Sequence, residues 1–91
     1  MALIKKKFTV KNKSGLHARP AALFVQIANK FDSRITVKRE GEDEEVNGKS
    51  IMGILMLGAE KGSSIIIEAE GDDAEVALVA LEKVISNEEE I

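Results

Sequence analysis

The sequence predicts an α+β domain with two layers, in which an antiparallel sheet is covered by helices on one face. Three observations support this fold class. The chain has 91 residues, which limits it to one small domain with one core. Its apolar residues alternate between a period of two and helical spacing, giving the element order β-α-β-β-α-β-α. The first β-α-β passage is split, because a later strand is inserted between its two strands.

The N-terminal part of the chain predicts one strand and one helix. Apolar alternation predicts the strand over 4–10, and a turn cluster at 12–15 leads into a helix from His17 to about Lys30. Pro20 is tolerated in a first helical turn but not in a helix interior, since it lacks a backbone N–H. The helix must therefore begin at or near His17. Its predicted core-facing residues are Ala21, Phe24, Val25 and Ala28.

The middle of the chain predicts a hairpin and a short helix. Residues 34–39 alternate in polarity, 41–43 form an acidic turn, and 45–47 form a short return strand. The apolar stretch up to Leu57 predicts a short helix that is capped by Ser50 and ended by Gly58.

The C-terminal part predicts a strand over 63–70 and a last helix from Ala74 to Ser86. The turn at 71–73 supplies an acidic N-cap for this helix. Its predicted apolar stripe is Ala77, Leu81, Val84 and Ile85. The acidic residues Glu88, Glu89 and Glu90 are expected to form a solvated tail, and residues 1–91 a single domain.

Composition excludes several kinds of function. Thirteen basic and 16 acidic residues give a net charge of −3, and aromatic residues are 3% of the chain, so no nucleic-acid partner is expected. The chain has no cysteine and one histidine, which argues against thiol chemistry and against thiolate or histidine-rich metal sites. Few convergent polar groups remain for a permanent small-molecule site, so no cofactor is expected. No apolar run approaches the roughly 20 residues that span a bilayer, and the N-terminus does not resemble a signal peptide. We therefore expect a cytoplasmic protein without membrane insertion.

The single histidine lies at the start of the first predicted helix. There, His17 adjoins backbone N–H groups without intrahelical acceptors and the positive end of the helix dipole. Such an end binds anions such as phosphate and favours a neutral imidazole, which is a nucleophile. Arg19 lies in the same turn, and a guanidinium neutralises phosphoryl oxygens. These residues predict a histidine that accepts a phosphoryl group; the alternative is a structural adaptor in which the histidine has no function.

The segment 47–50 (Asn-Gly-Lys-Ser) resembles the end of a phosphate-binding loop. The complete motif needs a glycine five positions before Gly48, and that position holds Asp43. An acidic residue there would repel the ligand, so an ATP site is not expected. Ser50 instead caps the short helix, where a kinase could still reach its hydroxyl.

The short helix has too many apolar residues for all of them to reach the core of a two-layer domain. We expect some of Ile51, Met52 and Leu55 to be exposed, and exposed apolar clusters mark partner surfaces. Methionine adapts to more than one partner. The alternative is a helix that is enclosed by the rest of the domain.

Two segments together carry a resemblance to a known family. Gly15-Leu16-His17-Ala18-Arg19-Pro20-Ala21 resembles the active-site segment of HPr, the histidine-containing phosphocarrier of the bacterial phosphoenolpyruvate-dependent sugar phosphotransferase system. Lys49-Ser50-Ile51-Met52-Gly53 resembles the regulatory serine segment of the same family. The likeness extends over the whole chain in length and element order.

The resemblance implies an open-faced β-sandwich with strand order 1-4-2-3 and three helices on one face. It implies that His17 takes a phosphoryl group on Nδ1 from phosphorylated enzyme I and passes it to enzyme IIA domains. Arg19 would be the charge partner of the phosphohistidine, and the protein would be a carrier rather than an enzyme. Ser50 would match the site of HPr kinase/phosphorylase in bacteria that use serine phosphorylation for carbon catabolite control. Partners would dock on Ile51, Met52 and Leu55, and a monomer is expected.

Two features depart from the sugar-branch pattern. The acidic hairpin from Glu40 to Glu45 is longer than the family leads us to expect. Met56 stands where many sugar-branch members carry serine or threonine, and residues 55–57 look more like the nitrogen-related branch, whose members mainly regulate. A regulatory protein of the nitrogen branch is therefore the alternative function.

Overall fold

A computed structural model describes residues 2–88, and this part of the chain contains four strands and three helices in the predicted order. The elements are β1 (Ala2–Thr9), α1 (Ala18–Ala28), β2 (Arg34–Arg39), β3 (Val46–Asn47), α2 (Ile51–Leu57), β4 (Ser64–Gly71) and α3 (Ala74–Ile85). The strands form one antiparallel sheet in the order β1-β4-β2-β3, and the helices cover one face. The predicted open-faced sandwich and its strand order are confirmed.

The last strand, β4, occupies the middle of the sheet. It pairs with β1 from Ala2↔Gly71 to Thr9↔Ser64, and its other edge pairs with β2. Side chains alternate across a strand, so Ile65, Ile67 and Ala69 of β4 are buried under the helices, whereas its intervening residues lie on the open face. Burial of alternate residues fixes the register, because a shift by one residue would exchange the two faces.

The core lies between the sheet and the three helices. Phe24, Ile54 and Leu81, one from each helix, are fully buried, and the whole predicted stripe of α3 is buried. Three of the four residues predicted to face the core from α1 are buried as well. Val25 is only half-buried and packs against the edge of the core, since it lies about 100° around the helix from Phe24.

The N-cap of α3 falls at Asp73 as predicted, but its side chain does not cap the helix. The carboxylate accepts hydrogen bonds from the backbone N–H groups of Asp32 and Ser33, both at 2.9 Å, and from the Ser33 hydroxyl. Asp73 therefore fastens the turn between α1 and β2 to the turn between β4 and α3. These hydrogen bonds hold the pKa of its carboxyl below the ordinary value of 3.8; the largest contribution is the Ser33 hydroxyl, followed by the Asp32 N–H.

Two further predictions concern membrane insertion and the acidic tail. Within residues 2–88, no helix is long and apolar enough to cross a membrane. Of the predicted acidic tail, Glu88 is exposed, and Glu89 and Glu90 lie outside the described residues.

Candidate functional site

His17 is the N-cap residue of α1. Its backbone is extended, with φ −134° and ψ 162°, its side chain makes no capping hydrogen bond, and it is exposed. The first helical turn is closed by the N–H of Ala21, which donates to the His17 carbonyl at 3.4 Å. The backbone N–H groups of Ala18 and Arg19 come before this first bond, so they have no acceptor within the helix. The predicted placement of the histidine at a helix N-terminus is confirmed.

The loop before His17 is anchored to the segment that follows α2. The Leu16 side chain is buried, and its N–H donates to the carbonyl of Ala59 at 2.8 Å. Gly15 has φ +76°, and a Cβ at this position would lie 2.5 Å from the Ala59 oxygen. Glycine is required here both by its backbone angle and by the close approach of the second segment. This contact holds His17 near the C-terminal end of α2.

Ala18, the first residue of α1 and the neighbour of His17, has an unusual backbone conformation. Its φ of +47° makes it the one non-glycine residue with a positive φ within residues 2–88. A left-handed conformation costs an L-residue roughly 1–2 kcal/mol, so the backbone next to His17 is strained. No sequence signal marks this position, because alanine is not a residue type enriched at positive φ.

Arg19 is exposed in the same helical turn as His17, two residues along the chain. The structure therefore places a histidine, an arginine and the first-turn amides in one turn at the N-terminal end of α1. A phosphoryl group carried on the ring would meet these positive groups at the helix end.

Ser50 is the N-cap of α2, as predicted. Its Oγ accepts a hydrogen bond from the N–H of Gly53 at 3.1 Å, and its carbonyl accepts from Ile54 at 3.0 Å. The segment before it is bound to the turn that follows α1, because the Lys49 ammonium donates to the Phe31 carbonyl at 2.7 Å. Ser50 thus lies at the end of α2 opposite to the contact that anchors the His17 loop.

The structure gives an independent reason why 47–50 is not a phosphate-binding loop. The N–H of Gly48 donates to the Ile35 carbonyl at 2.8 Å, and a Cβ on this glycine would lie 2.5 Å from the Ile35 side chain. The lysine that would reach a phosphate is already bound to Phe31. The segment is packed against β2 and does not form a cradle.

The outer face of α2 is apolar and exposed, as predicted. The exposed fractions of Ile51, Met52 and Leu55 are 40%, 64% and 36%, while Ile54 and Leu57 point into the core. Met56, which was not predicted to be exposed, is exposed to 70%. The signal was available, since positions 52 and 56 are four residues apart and share one face of a helix.

Comparisons with known proteins agree on one family. The family model described as "PTS HPr component phosphorylation site" matches residues 4–87. The HPr-like protein Crh of Halalkalibacterium halodurans is 46% identical over 86 residues, which cover 94% of this chain and 100% of that protein. The crystal structure of phosphocarrier protein HPr from Bacillus anthracis superposes with a TM-score of 0.86 at 49% identity, covering 93% of this chain and 99% of that one.

The chain therefore belongs to the HPr family, the phosphocarriers of the phosphotransferase system. A structure described as an HPr dimer from Thermoanaerobacter tengcongensis is also similar, with a TM-score of 0.69, 55% identity and coverage of 86% of this chain and 87% of that one. The expected monomer is not confirmed by these comparisons, and the oligomeric state of this chain stays a prediction.

Proposed function

We propose that His17 carries a phosphoryl group from phosphorylated enzyme I to enzyme IIA domains. The observation that supports this most strongly is the exposed imidazole at the N-cap of α1, beside first-turn N–H groups and Arg19. In each transfer a nitrogen lone pair of the acceptor ring forms the new P–N bond, and the donor imidazole leaves with the electrons of the broken one. Such a transfer needs positioning and charge stabilisation rather than further covalent machinery.

Arg19 would stabilise the phosphohistidine through its guanidinium, and the first-turn amides would contribute further positive potential. The exposed apolar face of α2 would dock the larger partner, so that the ring meets the incoming phosphorus in line. In this proposal residues 1–91 act as one cytoplasmic domain that binds no cofactor.

Ser50 would be a second, regulatory phosphorylation site in bacteria that have HPr kinase/phosphorylase. Its hydroxyl lies at the N-terminus of α2, where a phosphate suits the helix dipole, and it precedes Ile51 of the docking face directly. A phosphate there adds a charge of about −1.5 to −2 beside an apolar contact. Docking would weaken because that charge must be desolvated.

The experiment that tests the carrier role is labelling with phosphoenolpyruvate and enzyme I. The wild-type chain is expected to take up one phosphoryl group in an acid-labile, base-stable linkage, and His17→Ala to take up none. Arg19→Ala is expected to keep the site but to slow transfer, with Arg34→Ala as a control at an exposed arginine elsewhere. Labelling that persists in His17→Ala contradicts the assignment.

A regulatory module is the second candidate. It is favoured by the identity to the HPr-like protein Crh and by the Leu55-Met56-Leu57 segment, which looks like the nitrogen-related branch. A regulatory module would be labelled on His17 but would pass no phosphoryl group to a sugar-specific enzyme IIA, so transfer in a labelled lysate separates the two candidates.

A further inference from the structure

The exposed apolar face of α2 extends beyond the three residues predicted for docking. Successive residues on a helix are about 100° apart, so the outward order around α2 is Ile51, Leu55, Met52 and Met56. Gly53 comes next in this order and packs against β3, since a Cβ on it would lie 3.2 Å from the Val46 Cβ. Met56 is therefore the edge of the apolar face that adjoins the β2–β3 hairpin.

That hairpin carries a concentrated negative charge. Five of the six residues at 40–45 are acidic, and all six are exposed. Glu40 pairs with Lys7 at 3.1 Å, which is the one ion pair within residues 2–88. The other four carboxylates of the hairpin have no cation within ion-pair distance among those residues, so their negative potential extends into the solvent.

Met56 and the hairpin meet at a shallow cleft of about 140 Å³. Its lining residues are Arg39, Glu42, Glu44, Val46, Met56 and Leu57. Two carboxylates and one guanidinium leave the cleft acidic on balance, and Val46, Met56 and Leu57 are its apolar lining residues. An apolar side chain flanked by a cation would match this surface in both respects.

We propose that Met56 together with Glu42, Asp43 and Glu44 forms an acidic end of the docking face, and that it receives a protein partner bearing lysine or arginine beside an apolar contact. The flexible methionine supplies the adaptable contact, and the carboxylates select the charge. The inference rests on the proposed function, because the partners are those of the phosphoryl relay.

The test compares two triple variants that remove the same number of negative charges. Glu42→Gln/Asp43→Asn/Glu44→Gln neutralises the hairpin, and Glu70→Gln/Glu75→Gln/Glu82→Gln neutralises three exposed carboxylates elsewhere. Phosphoryl transfer from phosphorylated enzyme I and to an enzyme IIA domain is measured between 20 and 300 mM NaCl. For at least one partner, the hairpin variant is expected to lose about three- to ten-fold in kcat/KM at low salt, with kcat unchanged and a weaker salt dependence.

A second pair isolates the apolar contact. Met56→Ser is expected to raise KM for the same partner, while Val76→Ser, at a valine on α3 that is 62% exposed, leaves it unchanged. Thermal unfolding of each variant checks that the fold is retained.

Equal rates and equal salt dependence for the two triple variants with both partners would overturn the inference, as would faster transfer after the hairpin is neutralised. If the wild-type chain takes no phosphoryl group from enzyme I, the proposed function fails and this inference fails with it. If the wild type transfers normally and the hairpin variant behaves like its control, the inference alone is wrong.

Discussion

At the scale of single residues, the His17 site depends on backbone conformations and close contacts that residue types alone only partly predict. The Gly15-to-Pro20 segment could be recognised from the sequence, because Pro20 requires a helix start and the imidazole then falls at its N-cap. The strained φ of Ala18 could not be recognised, since nothing in an alanine encodes it. The close approach of Gly15 to Ala59 was equally hidden, because it joins segments 44 residues apart.

Gly15→Ala is expected to lower the free energy of unfolding by more than the cost of placing alanine at a positive φ. Gly58 provides the matched control, since it has φ +63° but no atom within 4 Å of the point that a Cβ would occupy. Gly58→Ala should cost about 1–2 kcal/mol from the left-handed conformation, and Gly15→Ala at least about 1 kcal/mol more from the contact with the Ala59 oxygen. Urea unfolding measures both; equal losses would show that the loop is not held as described.

At the scale of elements, α2 combines a cap, a docking face and a link to the histidine. Its limits were predictable from Ser50 and Gly58, which start and end it as expected. Seven residues give it a length of about 10 Å, so a change at its N-terminus lies within reach of a partner seated on the apolar face. The exposure of Met56 was missed, although its spacing of four residues from Met52 places both side chains on one face of the helix.

Ser50→Asp separates charge from helix capping, because aspartate caps a helix as well as serine does. We expect Ser50→Asp to keep the stability of the wild type and to slow phosphorylation by enzyme I several-fold, since a carboxylate beside Ile51 opposes docking. Ser64→Asp adds the same charge on the open face of the sheet and should leave the rate unchanged. A wild-type rate for Ser50→Asp contradicts the docking geometry.

At the scale of the whole molecule, the order of strands and helices could be predicted from the pattern of apolar residues. The contacts that join one turn to another could not. Strand and helix limits differ from prediction by at most two residues, because periodicity identifies an element better than its end. The strand order came from the family resemblance rather than from the pattern. Asp73 was predicted correctly as an N-cap position, yet its carboxylate turns to Asp32 and Ser33, 40 or more residues away, which no local rule describes.

The Asp73 contact makes an acid-dependent contribution to stability. Since the folded state lowers the pKa of this carboxyl below 3.8, its contribution is present above that pH and is lost as the pH falls through the lower folded value. Asp73→Asn is therefore expected to lower the unfolding temperature at pH 7 and to flatten its decline below about pH 4.

Unfolding temperatures between pH 7 and pH 2 measure this effect. Asp72→Asn serves as the control, because Asp72 is an exposed neighbour outside the contact. A decline below pH 4 that is as steep in Asp73→Asn as in the wild type would show that other carboxyl groups cause it.

Because the helices cover only one face of the sheet, the other face is available for labelling or immobilising the protein. Lys5 pairs with Glu68 on the side without helices, away from both the imidazole and α2. The chain contains no cysteine, so Lys5→Cys would introduce a unique thiol there. A fluorophore or a surface tether attached at this thiol would leave His17 and the exposed apolar face of α2 open to partners.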